Sequence, residues 1–432
     1  MRARTILAWM AACLALAACR AEPAPIIEPT PTPEPATVPL QAAPEHVDRI
    51  AVIDAGGAIY TVDPGGENRI EINPSGRIPE AALVWSRDSR RLAFSLIDGN
   101  RSELIAVDAN GESRSSLYSG RGADAPFYLY WSPDNEHIGF LTPDAENGIA
   151  LQIAPADAQT PQPITRGQPN YFSWSPQGDR LALHLGGLNN FIGTYTLSAD
   201  HVQRSETEPA LFQAPAWSPN GDAFLYARAR LSRTDDLVVV RGEVETVLAQ
   251  YEGRIAFAWS PDGSHIAYST SGSGSPFYTP LTIIDADGRH ARTLIGDDHT
   301  AFFWSPDGTR LAYLTARVGS PGVIGQTAGR LAAPRVEQAD TAIELAWHVV
   351  EVESGQATEL ASFQPTDHFA FIVSFFDQYA QSISLWSPDS HYLLFAGRPL
   401  GESRAIYRID TRAAGDRPLR IGPGEFGIWS WR

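Results

Sequence analysis

From residue 48 onward the chain is written in short alternating runs separated by turn sequences. Leu92-Ala93-Phe94, Ile138-Gly139-Phe140, Ile266-Ala267-Tyr268 and Leu311-Ala312-Tyr313 share one pattern: apolar, small, aromatic. The outer two positions face one way and the small one the other, as a strand of period two requires. A turn precedes each run. In Ser260-Pro261-Asp262-Gly263 and Ser305-Pro306-Asp307-Gly308, Pro fixes φ, Asp tolerates the third position and Gly takes the left-handed position that re-enters a strand. Gly178, Gly221, Asn135, Ser89 and Ser390 fill the Gly place in other copies. A third strand ends in an acid and a tight turn, as in Ile283-Ile284-Asp285-Ala286-Asp287-Gly288 and Ala106-Val107-Asp108-Ala109-Asn110-Gly111, and a fourth leads to the next unit.

Each unit opens on a Trp. Trp131, Trp174, Trp217, Trp259, Trp304 and Trp386 begin Trp-Ser-Pro, Trp85 begins Trp-Ser-Arg-Asp, and Trp429-Ser430 lies near the end. The interval is 42–46 residues except between Trp304 and Trp386, where it is 82. One Trp per unit of this length predicts an all-β fold, a β-propeller of four-stranded blades. Trp347 falls inside the long interval, but His348-Val349-Val350-Glu351-Val352-Glu353-Ser354-Gly355 lacks the Ser-Pro-Asp-Gly turn and fits a third strand and its turn. The long interval is therefore one blade with two enlarged loops, 317–343 and 361–383, and the count is eight blades. The last, begun at Trp429, is closed by N-terminal strands around Arg49–Ile53, Ala58–Asp63 and Arg69–Ile72, so that no sheet edge is left open.

Trp-Ser-Pro-Asp-Gly, then Ile-Ala-Tyr, then Ile-Ile-Asp-Ala-Asp-Gly resembles the repeat of TolB-like β-propellers, which also occurs in the propeller domains of prolyl-oligopeptidase-type peptidases. The resemblance covers roughly residues 48–432. It implies the fold; it does not carry a function with it. The N-terminal α/β domain of TolB has no counterpart in the short segment before residue 48, and the hydrolase domain of the peptidases is not expected either.

Arg2 and Arg4 precede an apolar run, Ile6 to Ala18, that is too short for a membrane-spanning helix. It ends in Leu16-Ala17-Ala18-Cys19, which resembles a bacterial lipobox. That resemblance implies a signal peptide over 1–18, a lipidated Cys19 and an extracytoplasmic protein held to a membrane only by its lipid; an ordinary signal peptide cut at an Ala-x-Ala site is the alternative. Residues 19–47 hold Pro23, Pro25, Pro29, Pro31, Pro33, Pro35, Pro39 and Pro44 and read as an extended spacer.

Composition removes several chemistries. The formal net charge is −17, and the basic residues are all Arg. Without lysine there is no P-loop Lys, pyridoxal Schiff base or Ser-x-x-Lys acylase. Without a basic run, nucleic acid is a poor partner. Cys13 lies in the signal and Cys19 is the acylation site, so no disulfide, thiolate metal site or Cys nucleophile is expected, and no cofactor. Gly401-Glu402-Ser403-Arg404-Ala405 only approaches a nucleophile elbow. His137 and His265 fall six residues after their Trp, a slot that elsewhere holds Arg91, Arg180, Arg310, Ala223 and Tyr392; a slot so tolerant reads as a hairpin surface position. Asp285-Ala286-Asp287-Gly288 reads as a hairpin turn, not a calcium loop, because no Glu follows at the twelfth position.

The recurrent aromatics belong between blades, but those of the second enlarged loop do not recur. His368, Phe369, Phe371, Phe375, Phe376, Asp377 and Tyr379 form either a lengthened element packed on the rim or a binding lid. Connections of this kind share a face with 271–278, which brings Phe277 and Tyr278 to the same place. Tyr128, Tyr171 and Phe302 are expected at the mouth of the central channel. The expected function is a monomeric scaffold for a protein or peptide; a cell-wall glycan binder and a hydrolase using acids and His of that face remain open.

Overall fold

The offset between each Trp and the strand after it is kept in the register of the sheets. Trp85 pairs with Leu92, Trp131 with Ile138, Trp174 with Leu181, Trp217 with Phe224, Trp259 with Ile266 and Trp304 with Leu311. The computed structural model describes residues 48–432 apart from 75, 79–81, 147, 187–189, 273 and 319–342. Cys19, the signal segment, the spacer and most of the first enlarged loop lie outside the described residues. Among those described, the strands form six four-stranded antiparallel sheets and one of seven strands, the arrangement of a β-propeller, and the α-helices are two. No described helix is long and apolar enough to cross a membrane.

The turn that follows each Trp is held by its own side chains. Ser260 Oγ donates to the Asp262 carboxylate (2.6 Å) and accepts from the His265 N–H (2.9 Å); the same carboxylate accepts from the Ser264 N–H (3.0 Å). Ser305 and Asp307 repeat this with Arg310 and Thr309. The serines are buried, so each would cost stability if its partners were removed. The residue at the Gly place is left-handed in every copy, including Ser89 (φ 61°), Asn135 (φ 64°) and Ser390 (φ 63°).

Successive sheets meet through the Trp. In four copies the ring nitrogen donates to the main chain of the preceding unit, one residue ahead of that unit's own Trp: Trp174 to Tyr130 (3.0 Å), Trp259 to Ala216 (3.1 Å), Trp304 to Ala258 (3.3 Å) and Trp386 to Phe303 (3.2 Å). The small residue of the second strand makes room for this contact. At Gly139 an added Cβ would lie 2.7 Å from the Phe172 ring of the next sheet. The slot six after Trp is not the surface position expected from its tolerance. Arg91, Arg180 and Arg310 reach over the next Trp ring, with guanidinium carbons 4.7, 4.7 and 5.4 Å from the centroids of Trp131, Trp217 and Trp386. Arg310 is buried and also donates to Ser390 O (2.5 Å) and Thr411 Oγ1 (2.8 Å). Arg there is a cation–π bridge between sheets; His137 lies against Trp174 in the same way.

Two features depart from simple repetition. The strand Phe426–Trp429 pairs antiparallel with Ile50–Ile53, so one sheet is built from both ends of the repeat region. In the seven-stranded sheet, Trp347 is a buried third-strand residue of Ile343–Glu351, as its lack of a turn motif implied. There the outer strand Ala357–Pro365 continues inward, and Phe363–Pro365 pairs with Gly397–Pro399. Trp386 pairs with Leu393 farther along that same strand. The innermost strand of this unit is thus split, and residues 366–383 are inserted between its halves.

Deleting residues 424–432 strips the partner from Ile50–Ile53 and exposes a sheet edge. The truncated protein is expected to aggregate or lose cooperative unfolding in a urea titration, whereas a cooperative monomer with an unchanged midpoint would contradict the closing role of this pair.

Candidate functional site

An insertion that interrupts an innermost strand is delivered to the axis around which the sheets are arranged. Thr366 starts it: its Oγ1 accepts from the Phe369 N–H (3.2 Å), the capping geometry of a helix N-terminus, and donates to Glu425 O (2.5 Å). Helix α1 (Asp367–Ser374) and helix α2 (Phe376–Ser382) follow, with a break at Phe375. Their polar contacts reach several sheets. Tyr128 Oη donates to Gln378 O (3.0 Å), Arg87 Nη2 to Gln381 O (2.6 Å), Gln381 Nε2 to Pro215 O (3.1 Å) and Gln213 Nε2 to Ser374 O (3.2 Å).

The aromatics expected on a lid are turned inward. Phe369 is buried against Trp347 and Phe363. Phe376 is buried against Phe302, Phe303 and Tyr278, with ring centroids 5.0, 6.0 and 5.7 Å away. Tyr379 is buried edge-on to Tyr128 at 5.2 Å. Phe371 and Phe375 pack on one another (5.2 Å) and are half-buried, as is Phe277. The insertion is therefore a plug at the mouth of the axis, where Tyr128, Tyr171 and Phe302 were expected, and its apolar face is core. The reason is geometric: inner strands that splay around an axis leave an apolar gap, and the aromatic side of two short helices fills it. Tyr128 pays for its place with a left-handed backbone (φ 44°) at a bulge between Phe127 and Leu129.

Asp377 carries the polar face of the plug. It is buried, and burial pushes its carboxyl up to about 7 against the pull of backbone N–H groups of Gln378 and Ala214 and of the Arg254 charge. Its field and their burial hold the phenols of Tyr171 and Tyr278 above the ordinary range. Two imidazoles nearby are kept neutral by burial: His184, stacked on Phe212, is pushed down to about 4, and His299 is pushed down as well.

The same end of the molecule holds a cavity of about 430 Å³, lined by Ile53, Asp54, Ala55, Gly56, Gly57, Gly76, Arg77, Ile78, His368 and Glu425. His368, at the start of α1, is the one sequence-derived candidate that lines it. Asp54 Oδ1 accepts from the N–H groups of Gly56 (2.8 Å) and Ala58 (2.9 Å), and Glu425 pairs with Arg404. The Arg77 side chain is exposed, while its backbone bridges Ile97. The walls need glycine: a Cβ on Gly57 (φ 77°) would lie 1.7 Å from Gly76 O. Sequence reasoning missed Arg77, Arg254, Asp54 and Glu425, because no motif joins residues from such distant units; the paired glycines were the only available sign. Among the described residues no group of three or more His, Cys, Asp and Glu is placed to hold a metal ion.

Phe376→Ala is expected to cost about 3–5 kcal/mol, as buried Phe truncations do, and replacing 366–380 by a Gly-Ser turn should lower the melting temperature sharply; an unchanged melt would show that the plug is not core. For Asp377 the folded state binds its proton more tightly than the unfolded chain, whose carboxyl titrates near the ordinary value of about 4. The stability it contributes is complete below that value and is lost as pH rises through about 7. Urea midpoints of Asp377→Asn should therefore fall less between pH 4 and 8 than those of the parent; parallel pH profiles would exclude this assignment.

No family model matches the chain, and no curated protein does. Solved structures share its fold. Dipeptidyl peptidase 4 of Porphyromonas gingivalis aligns with a TM-score of 0.52 at 12% identity, over 86% of this chain and 59% of that one. An oligogalacturonate lyase in complex with manganese aligns with a TM-score of 0.50 at 13% identity, over 81% and 86% of the two chains. TolB from Acinetobacter baumannii is also similar, with a TM-score of 0.37 at 17% identity, over 58% of this chain and 65% of TolB, just under two thirds of its length. At these identities the likeness is one of fold alone.

Proposed function

We propose that this chain is an eight-bladed, extracytoplasmic propeller, tethered through a lipidated Cys19 and the Pro-rich spacer, that binds a protein or peptide partner on the face carrying the helical plug. The cavity beside His368 supports the reading. It is concave, it opens next to the plug, and it presents both charge signs through Asp54, Glu425 and Arg77 on an apolar floor of Ile53 and Ile78. A few polar groups around an apolar base are the make-up of a ligand pocket, and we read its ligand as a polypeptide segment. Eight Trp-Ser units, with the last completed by Ile50–Ile53, support the blade count.

The test uses the protein from residue 45 onward as bait in an envelope extract, with captured partners identified by mass spectrometry. Arg77→Glu is expected to lower recovery of the specific partner at least tenfold without changing the melting temperature. Equal recovery by parent and variant would place the site elsewhere. In cells, Cys19→Ala should release the protein from membranes or stop its processing; a variant that stays processed and membrane-bound would refute the anchor.

A further inference from the structure

Around the polar face of the plug, three side chains from three separate segments leave donors unused. Arg254 opens the strand Arg254–Trp259 and is half-buried. Its Nη2 donates to Ser275 O (3.0 Å) and Ser271 Oγ (3.4 Å), which fixes the guanidinium, while Nε and Nη1 find no acceptor and the group forms no ion pair among the described residues. It lies 5.4 Å from the centroid of the Tyr278 ring. The hydroxyls of Tyr278 and Tyr171 make no hydrogen bond among the described residues, although Tyr278 is buried and Tyr171 half-buried. Tyr171 lies on the strand Asn170–Trp174; that strand and Arg254–Trp259 both pack against α2, which carries Asp377, and Tyr278 touches Phe376 of the same helix.

We infer that Arg254, Tyr171 and Tyr278 form a binding site for a single carboxylate at the edge of α2. A fixed guanidinium donates a charge-assisted hydrogen bond to one carboxylate oxygen through a free N–H, and two phenols supply further donors. A phosphate dianion is a poorer fit, since Arg254 is the one cation there among the described residues and Asp377 opposes extra negative charge. The buried, backbone-bonded carboxyl of Asp377 adds one more donor when protonated. The site is independent of the cavity beside His368. Its carboxylate belongs either to a peptide C-terminus or to a small organic acid.

The test measures binding to the full chain by titration calorimetry at pH 6. The probes are N-acetyl-trialanine as free acid and as amide, and propionate with propionamide. One or both acids are expected to bind and neither amide; binding by the peptide acid alone assigns a C-terminus, and binding by propionate too assigns any small carboxylate. Arg254→Gln should weaken the acid at least tenfold, Tyr171→Phe and Tyr278→Phe several-fold each, and Arg77→Glu not at all, which separates this site from the cavity. Binding of the parent should weaken as pH rises through 7 and that of Asp377→Asn should not, the groups facing Asp377 being the charged Arg254 and the neutral phenols of Tyr171, Tyr278 and Tyr128. If Arg254→Gln does not fold, the Tyr171→Phe/Tyr278→Phe double variant decides. Equal binding of acid and amide, binding of neither acid, or undiminished binding by a folded variant overturns the proposal.

Discussion

The contact between one sheet and the next is the interaction on which the structure rests. Each four-stranded sheet is apolar on both faces, so none is stable by itself, and each must find a neighbour on either side. The Trp of the innermost strand supplies most of that contact, with a ring nitrogen bonded to the neighbouring main chain in four of the units. Where Arg follows six residues later, it closes the next junction by lying over the following Trp. The series of junctions has no free end only because Phe426–Trp429 pairs with Ile50–Ile53.

Sheets arranged in this way leave space at the axis, and this chain fills it from within. The insertion after Pro365 interrupts an inner strand and buries Phe369, Phe376 and Tyr379 against residues of several units. Filling the axis with apolar rings adds core. It also forces polar side chains of the same helices into a dry setting. Asp377 is the clearest instance: burial raises its carboxyl to about 7, although three backbone N–H groups and Arg254 favour the charged form.

Two sets of carboxyls therefore respond to acid in opposite senses. The turn carboxylates are held below their ordinary range by their own Ser and backbone donors, Asp262 to about 2, with Asp307 and Asp389 lowered likewise. Their contribution is present above the ordinary carboxyl value of about 4 and is lost as pH falls through the lowered values, for Asp262 about 2. Asp377 contributes most below about 4 and least above 7. Acid therefore weakens the turns, whereas rising pH weakens the site of Asp377 at the axis and that of Asp48, whose carboxyl burial raises to about 6.

The residues of the repeat determined the strands, their register and the turns, because those depend on neighbours a few positions away: Pro261, Asp262 and Gly263 close their turn whatever surrounds it. The same local logic identified Trp347 as a third-strand residue. What the repeat could not reveal was the use made of positions between units. The slot of Arg91, Arg180 and Arg310 looked permissive along the chain, yet in space it spans a junction, and its partner lies one whole unit away. The aromatics of 369–379 looked like a lid because nothing local needs them; only the closed arrangement creates the axial gap they fill. Arg254, Tyr171, Tyr278 and Asp377 are likewise scattered over some two hundred residues of sequence; Tyr171 and Arg254 are carried by inner strands, Tyr278 by a connection and Asp377 by α2, and only the packing of α2 against those strands brings their segments together.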